Sequence, residues 1–402
     1  MMKLPKIRRR EIRIGTAVFL CAMTAVISFH AAYIVMERKL EEELPNYRAN
    51  DALYGKLGEI RSLFDELYVG TYDEKDAIDV AAAGYVAGVG DRWSGYYSAE
   101  EYEEYVTSFS GQSSGIGAYV SYAPDSGIRL IEVYKGSACD KAGLQKGDRI
   151  LSADGVSVET DGYSAVMNAI AGEEGTTVRI GVERAATGEN EEIEMIRSTA
   201  EQTMVTGCML EDNIGFVRIY NFHQGAEKQF KTIVKGLLRE GAEALVFDVR
   251  NDPGGSVDSV NEMLDLLLPE GNLMSLATKA GEKEQYTSDA ACVELPMAVL
   301  VDAESISAAE FFAACLQEYD WATVVGEQTI GKGYSQRMYA LTDGSAVRIS
   351  DKTYYTPSGK SLIGTGVTPD VAVELPEEKE ADFYFLAPEE DDQLAAALET
   401  LR

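Results

Sequence analysis

Two kinds of apolar pattern alternate along the C-terminal half of the sequence. Short continuous apolar runs predict buried strands, and apolar residues repeated every three or four positions predict amphipathic helices. Strands are predicted at 214–220, 244–249, 297–301, 323–325, 337–341 and 346–349, and helices at 226–238, 257–267, 307–316 and 391–401. Strands that alternate with helices predict an α/β domain over residues 198–402.

Short strands separated by glycine-containing turns fill residues 110–197. We predict strands at 129–133 and 177–182 and a short helix at 163–170. The pair Asp154 and Gly155 is typical of a tight hairpin turn, in which both residues take positive φ angles. This pattern predicts a small domain inserted before the α/β domain.

Residues 51–109 have helical patterns instead. Leu53, Leu57 and Ile60 recur at spacings of four and three, as on one face of a helix. The predicted helices lie at 52–68, 74–89 and 98–108. A turn-rich segment, GDRWSGYY at 90–97, separates the last two.

The first 50 residues have the pattern of a membrane anchor. Residues 1–13 contain six basic side chains and one acidic one, and the 23 residues 14–36 contain no Asp, Glu, Lys or Arg. A helix of that length spans about 34 Å, enough for a hydrocarbon core of about 30 Å. The pattern predicts a cytoplasmic tail (1–13), a transmembrane signal-anchor (14–36) and a stalk (37–50). A cleaved signal peptide with a weak site near Ala31 is the alternative.

Charge and composition exclude several classes of function. Lys and Arg total 36 against 67 Asp and Glu, a formal net charge of −31. Nucleic-acid binding depends on clustered basic residues, so this balance argues against it. Five cysteines without a C-x-x-C pair, and only two histidines, favour neither a disulfide framework nor a zinc site. We expect neither a metal nor a cofactor.

Three segments of the α/β domain carry residues suited to catalysis. FDVRNDPGG at 247–255 predicts a strand that ends in two glycines before a helix, where backbone N–H groups are free to face an anion. VLVDAESISAAE at 299–310 places serines at a helix start, where serine is usually an N-cap. Lys332 lies between two glycines, which is typical of a surface turn. Each segment alone therefore allows a structural or a catalytic interpretation.

The run AGLQKGDRILSADGV at 142–156 resembles a PDZ domain. The resemblance implies a site for free C-terminal peptides. In such a site the peptide adds as a strand, and the N–H groups of a glycine loop bind its carboxylate. The implied loop and groove residues are Gly115, Ile116, Gly117, Tyr119, Val166 and Ile170. Their apolar character implies a preference for apolar C-terminal side chains.

Together with the PDZ-like region, the three segments resemble the C-terminal processing peptidases, serine peptidases with a Ser–Lys dyad. The family pattern contains D-x-R-x-N-P-G-G, S-A-S-A-S-E, G-K-G-x-x-Q, and Y-Y-T-P-S-G followed by G-x-x-P-D. This chain has DVRNDPGG at 248–255, SISAAE at 305–310, GKGYSQ at 331–336, YYTPSG at 354–359 and GVTPD at 366–370. The likeness runs in order over about residues 50–402.

The resemblance implies the roles of the site residues. Ser307 would be the nucleophile, Lys332 the general base and Gln336 a supporting residue. The oxyanion would be bound by the Ala308 N–H and by one N–H of the Gly254–Gly255 pair. A lysine is a base near pH 7 only if its pKa falls from about 10.4 toward about 7, which burial among apolar groups can achieve. We therefore expect Lys332 to be desolvated and without an ionised carboxylate partner.

Two alternatives remain open at this level. Asp252 replaces the family's asparagine and puts a carboxylate near the oxyanion site, so one alternative is a catalytically dead PDZ-containing binding protein. His223, the one histidine outside the predicted membrane segment, would serve a Ser307/His223 hydrolase of the esterase type. We expect His223 to be structural and Cys315 to lie in the core.

The sequence as a whole predicts an α/β (α+β) protease core with an inserted PDZ-like domain, preceded by an N-terminal helical region and one transmembrane helix. The expected function is that of a serine endopeptidase, anchored in the cell membrane with its catalytic part outside the cytoplasm. Its expected partners are proteins with apolar C-termini and the membrane itself, and not nucleic acid. The oligomeric state is left open.

Overall fold

The computed structural model describes residues 23–24, 28–33, 47–123 and 127–402. The predicted cytoplasmic tail at 1–13, most of the predicted anchor at 14–36 and the stalk up to residue 46 lie outside these residues. Within the described ranges, no helix combines the length and the apolar character required to cross a membrane. The anchor therefore stays a prediction.

The predicted helices before the inserted domain are present. They are α1 (Tyr47–Leu67), α2 (Glu74–Gly88) and α3 (Ala99–Phe109). Helix α1 begins inside the range predicted to be a stalk. Helix α3 starts with a reciprocal cap: the Glu101 N–H donates to Ser98 Oγ at 3.3 Å, and the Ser98 N–H donates to Glu101 Oε2 at 2.8 Å. A short strand, β1 (Gly95–Tyr97), follows α2 in the segment that the sequence shows as turn-rich.

The inserted domain is an antiparallel sheet packed on short helices. Its strands are β2 (Gln112–Gly115), β3 (Ala118–Ala123), β4 (Gly127–Val133), β5 (Arg149–Ala153), β6 (Val156–Ser157), β7 (Thr177–Glu183), β8 (Asn190–Ile196) and β9 (Ser198–Glu201), and its helices are α4 (Ala138–Lys141), α5 (Val158–Asp161) and α6 (Tyr163–Ile170). The sheet order is β3-β4-β5-β7-β8, with β6 paired to β5 and β2 paired separately to β9. Asp154 (φ 47°) and Gly155 (φ 85°) form the predicted tight turn.

A mixed sheet forms the centre of the C-terminal domain. The strands of this domain are β10 (Val205–Met209), β11 (Ile214–Ile219), β12 (Ala244–Asp248), β13 (Gly271–Thr278), β14 (Lys283–Ser288), β15 (Met297–Val301), β16 (Thr323–Gly326), β17 (Tyr334–Ala340), β18 (Ala346–Tyr355) and β19 (Val371–Ala372), and its helices are α7 (Ala226–Glu240), α8 (Val257–Leu267), α9 (Ala308–Glu318), α10 (Glu377–Glu380) and α11 (Asp392–Thr400). The central sheet has the order β10-β11-β12-β15-β16-β19 and is parallel except for β10.

The central strands are apolar throughout because both faces of the sheet are covered. Leu245 and Phe247 of β12 belong to the core that contains side chains of α7, α8 and α9. Val246, between them, belongs to the opposite core with Leu394 of α11. Strands β12 and β15 pair in parallel, so their carboxyl ends lie side by side. The segments that follow these two ends form one part of the site described below.

A second sheet, which the sequence predicts only in part, carries the other part of the site. It has the order β1-β18-β13-β14, with β17 on the other edge of β18. Strands β13 and β14 were not predicted, and β17 and β18 are longer than predicted. Lys332 lies two residues before the start of β17, so this sheet holds one end of the lysine loop.

Candidate active site

Ser307 occupies a strained turn between β15 and α9. Strand β15 is buried at all five positions, and the chain then turns through residues 302–306 into the helix. Ser307 has φ 61° and ψ −109° directly before the first residue of α9. A positive φ is costly for a residue with a side chain and persists only where surrounding contacts enforce it. The turn presents a hydroxyl-bearing side chain at a helix N-terminus.

The glycine pair after β12 lies against this turn. A Cβ atom added to Gly254 (φ +92°) would be 2.9 Å from the Ala308 nitrogen and 3.0 Å from the Ser307 Cβ, so only glycine fits there. The Gly254 N–H donates to Asp252 Oδ1 at 2.7 Å. Within the described residues, the N–H groups of Gly255 and Ala308 have no hydrogen-bond partner. These two N–H groups remain available to an anion.

Lys332 is joined to the serine turn through a buried carboxylate. Glu310, in the first turn of α9, is fully buried. Its Oε2 accepts the backbone N–H groups of Ser307 and Lys332, each at 2.9 Å. Its Oε1 accepts the Gly331 N–H at 2.7 Å and the Thr329 hydroxyl at 2.6 Å. One side chain thus fixes the backbone of the serine turn and of the lysine loop together.

The Lys332 ammonium is largely desolvated. Burial lowers its pKa to about 8, and nearby Arg348 acts in the same direction, against smaller opposing effects of Glu310 and Asp91. The Nζ lies 4.8 Å from the centre of the Trp93 ring. In the described part of the chain, no hydrogen bond joins Nζ to Ser307 Oγ. The ammonium instead makes a cation–π contact with the Trp93 ring. The sequence analysis did not single out Trp93.

The Trp93 segment is tied to the second sheet. Arg348 Nε donates to the Trp93 carbonyl at 3.1 Å, and the Ser350 N–H donates to Ser94 Oγ at 3.3 Å. Strand β1 pairs with the start of β18 just beyond these contacts. The segment at 90–97 therefore holds an aromatic ring beside the lysine.

Ser307 and Lys332 open into one cavity of about 420 Å³. Its apolar wall is formed by Val257, Val260, Met274, Leu276 and Phe311. Gln336 also lines the cavity, but its Nε2 donates to the Tyr334 carbonyl at 2.7 Å and to Ser350 Oγ at 3.5 Å rather than contacting Lys332. The Tyr354 hydroxyl donates to the Lys332 carbonyl.

His223 lines the same cavity without bonding to the serine. Burial lowers the pKa of its imidazole, and its Nδ1 has no partner among the described residues. Its ring packs 5.3 Å from the ring of Phe109. Cys315 is fully buried in α9, as predicted. Neither residue forms a pair with Ser307.

The strand that leads to the glycine pair ends in a buried ion-pair network. Both oxygens of Asp248 accept from Arg250, and Oδ2 also accepts from Arg218 at 2.6 Å. Arg250 donates in turn to both oxygens of Asp391, at 3.0 and 2.7 Å. The two guanidinium groups hold the pKa of Asp248 well below its usual range, although burial alone would raise it. The segment between β12 and the Gly254–Gly255 pair is thereby tied to Asp391, directly before α11.

Most of the residues predicted to line the peptide groove of the PDZ-like domain are buried. Ile116, Val166 and Ile170 are buried members of the PDZ-like core, so little of these side chains is accessible. Gly117 has φ +75°, and its carbonyl accepts the Tyr134 N–H at 3.0 Å. Gly115 ends β2 with φ +124°. The apolar residues predicted to line the groove therefore belong mainly to the core of the domain and not to its surface.

Tyr119 links the inserted domain to the C-terminal one. Its ring lies 5.3 Å from the ring of Tyr220 and 6.2 Å from that of Tyr384. Nearby, Arg129 of β4 donates to the Ala381 carbonyl at 2.6 Å and pairs with Asp382 at the same distance. Among the described residues, no cluster of His, Cys, Asp and Glu has the arrangement of a metal site.

Comparison with known proteins identifies this arrangement. Residues 213–373 match the model of peptidase family S41, and residues 131–184 match that of a PDZ domain. The chain contains a peptidase S41 domain and a PDZ domain. It is a serine peptidase of the C-terminal processing kind with a PDZ domain, so the family resemblance and the mixed α/β fold predicted from the sequence are confirmed.

Two relatives of this S41 peptidase carry that activity in their names. The carboxy-terminal processing protease CtpA of Bacillus subtilis (strain 168) is 28% identical over 361 residues, which are 89% of this chain and 77% of the relative. The carboxyl-terminal-processing protease of Synechocystis sp. (strain ATCC 27184 / PCC 6803 / Kazusa) is 29% identical over 309 residues, 75% of this chain and 71% of the relative. A crystal structure from Bacteroides fragilis NCTC 9343, assigned to the S41 proteases, shares the fold: TM-score 0.56, 18% identity, 83% of this chain and 92% of that one.

Proposed function

We propose that this S41 peptidase cleaves peptide bonds with Ser307 as nucleophile and Lys332 as general base. The observation that supports the proposal most strongly is the shared Glu310 oxygen, which holds the backbone of both residues beside one cavity. A serine hydroxyl is a weak nucleophile and requires a base beside it. Lys332 and His223 are both largely buried basic groups of this cavity with a lowered pKa, and of the two it is Lys332 whose backbone shares the Glu310 oxygen with Ser307.

The lowered pKa makes the lysine a usable base. With its pKa at about 8, about a tenth of Lys332 is neutral at pH 7. An unshifted lysine would be neutral in only about 4 of 10,000 molecules at that pH. In the cleavage step the neutral amine leaves the Trp93 ring, reaches Ser307 and takes its proton as Oγ attacks the carbonyl carbon. The resulting ammonium returns the proton to the departing amine.

Backbone N–H groups stabilise the tetrahedral intermediate in this proposal. The free N–H groups of Ala308 and Gly255 are the donors, since the Gly254 N–H is bonded to Asp252. Each such donor contributes about 3 kcal/mol to transition-state stabilisation in serine peptidases. Water then hydrolyses the acyl-enzyme, and the product acid leaves the cavity.

The substrates in this proposal are proteins with apolar C-terminal residues. Strand β3 is an edge strand of the PDZ domain, and an extended peptide can pair with such an edge. Access requires movement of the domain's buried groove residues. The uncharged stretch at 14–36, with its preceding basic cluster, supports a location in the cell membrane with the catalytic domain outside the cytoplasm.

The test uses the full chain in detergent and an unfolded protein with an apolar C-terminus. We expect Ser307→Ala and Lys332→Ala to abolish cleavage and His223→Ala to retain it. The same substrate with a charged C-terminal tail should be cleaved more slowly. Loss of cleavage in His223→Ala, with Lys332→Ala active, would instead identify a Ser307/His223 hydrolase. Binding of intact substrate by the wild-type protein, without cleavage at any pH, would identify a PDZ-containing binding protein.

A further inference from the structure

A carboxyl group is buried in the turn at 252–255, called the oxyanion turn below because it carries Gly255, one of the two proposed oxyanion donors. Asp252 is fully buried. Its Oδ1 accepts the Gly254 N–H at 2.7 Å, but its Oδ2 has no hydrogen-bond partner in the described part of the chain. Its carbonyl accepts the Ile306 N–H at 2.9 Å, which joins this turn to the serine turn. A carboxylate with one bare, buried oxygen is costly, whereas a neutral acid is much less so.

The charges that face Asp252 have the same sign as its own. Asp302, after β15, and Asp248, at the end of β12, both raise the pKa of Asp252, and burial raises it most. From the PDZ domain, Tyr119 is the titratable group close enough to interact with it. No basic side chain among the described residues pairs with Asp252, because Arg250 and Arg218 are engaged by Asp248 and Asp391.

The neighbouring acid Asp302 has the opposite environment. It accepts the Asn251 backbone N–H at 2.9 Å and the Asn251 side-chain amide at 3.0 Å, both on Oδ2. Its Oδ1 accepts the Ser305 hydroxyl at 3.0 Å. Despite these donors, burial raises the pKa of Asp302 to about 6. The two neighbouring carboxyl groups therefore favour different protonation states. The hydrogen-bond donors around Asp302 favour its ionised form, and the surroundings of Asp252 favour its neutral form.

We propose that Asp252 works as a neutral carboxylic acid that positions the oxyanion turn, and that its ionisation switches the peptidase off at alkaline pH. The proposal rests on the proposed Ser307/Lys332 function. Neutral Asp252 offers one carbonyl oxygen to the Gly254 N–H, as the amide oxygen of an asparagine would. Ionised Asp252 places a negative charge on the turn that contacts Ala308, where the tetrahedral intermediate gathers negative charge. Repulsion between the two charges then raises the barrier to cleavage.

The first test compares pH profiles of kcat/KM for the wild type and for Asp252→Asn between about pH 6 and about pH 10. Deprotonation of Lys332 raises activity in both proteins, but only the wild type should fall again at the alkaline end. We expect the ratio of Asp252→Asn to wild type to rise at least about tenfold across this range. Glu304→Gln, which removes an exposed carboxylate from the neighbouring loop, should leave the wild-type profile unchanged. A ratio that does not depend on pH would overturn the proposal, since it would show a purely structural role.

The second test does not depend on activity. Infrared difference spectra of Ser307→Ala against Ser307→Ala/Asp252→Asn should show a protonated carboxylic acid at neutral pH that only the first protein has. Absence of that band at neutral pH would show that Asp252 is ionised, and the proposal would fail even if the dyad is correct. Conversely, if Ser307→Ala shows the band but the wild type cleaves nothing at any pH, the Ser307/Lys332 proposal and the switch fail together, and only the neutral acid remains.

Discussion

The backbone N–H groups of Ser307 and Lys332 donate to the same atom, Oε2 of Glu310, each at 2.9 Å. The two residues are 25 positions apart in the sequence. Ser307 lies between β15 and α9, and Lys332 lies between β16 and β17. Because a single oxygen fixes both, a shift of either segment strains the other. The relative position of nucleophile and base is therefore set by a third residue that has no chemical part in the reaction.

Glu310→Gln should disable the site by loosening both segments. An amide has one acceptor oxygen and would direct an NH₂ group toward backbone donors, leaving at least one buried N–H unpaired. Each unsatisfied buried group costs about 1–3 kcal/mol, so we expect a loss of stability of about 2–4 kcal/mol. The expected loss of kcat/KM is about a hundredfold, as for other changes that misplace reacting groups. Chemical denaturation measures the loss of stability, and cleavage assays measure the loss of kcat/KM. Glu304→Gln is the matched control. A stable and fully active Glu310→Gln protein would contradict the positioning role of Glu310.

Lys332 should destabilise the fold at neutral pH. Its pKa is lowered from the ordinary 10.5 to about 8, so the unfolded chain binds a proton more readily than the folded one between these values. The stability of the wild type should consequently rise with pH over this interval. Replacing the charge by Lys332→Met should add about 3 kcal/mol to the free energy of unfolding at pH 7, and the gain should vanish near pH 10.5. Denaturant titrations at several pH values measure it, and a gain that persists at high pH would point to packing instead.

Trp93 should raise the pKa of Lys332. A cation over an aromatic face is favoured by about 0.5–2 kcal/mol, which stabilises the charged form of Lys332. Trp93→Leu should therefore lower the kinetic pKa of the acidic limb by about half to one and a half units, whereas Trp93→Phe, which retains an aromatic face, should lower it less. The acidic limb of kcat/KM against pH is the measurement. An upward shift in Trp93→Leu would mean that the indole acts mainly by keeping water away from the amine.

Asp391→Ala should cost far more than the same change at the next position. Asp391 pairs with buried Arg250 and also accepts the Leu394 N–H at 3.0 Å as the N-cap of α11. Removing one partner of a buried ion pair costs about 3–5 kcal/mol. Asp392 pairs with Lys379 at 2.7 Å on an exposed face, so Asp392→Ala should cost less than about 1 kcal/mol. Equal losses in denaturant unfolding of the two variants would contradict a dominant role for the buried network.

The sequence predicts those parts of this molecule whose signal is local. The run at 244–249 and the helix at 257–267 are recognisable because the apolar pattern alone specifies them, and the structure has β12 and α8 there. Strand β14 was missed because it is largely exposed and its sequence, KEQYTS, is mostly polar. The roles of Trp93 and Glu310 were missed for another reason. Their partners come from segments that only the folded sheets bring together, so no spacing rule reports them.

The contact between Arg250 and Asp391, which spans 141 residues, has a consequence for biosynthesis. A ribosome that has made Ser307 and Lys332 has yet to make the carboxylate that completes the anchor of the strand before the oxyanion turn. Until residue 391 leaves the exit tunnel, Arg250 lacks its second counter-charge and α11 lacks its N-cap. A nascent chain that stops short of residue 391 therefore already contains Ser307 and Lys332, while Arg250 still lacks the partner that ties it to the last helix.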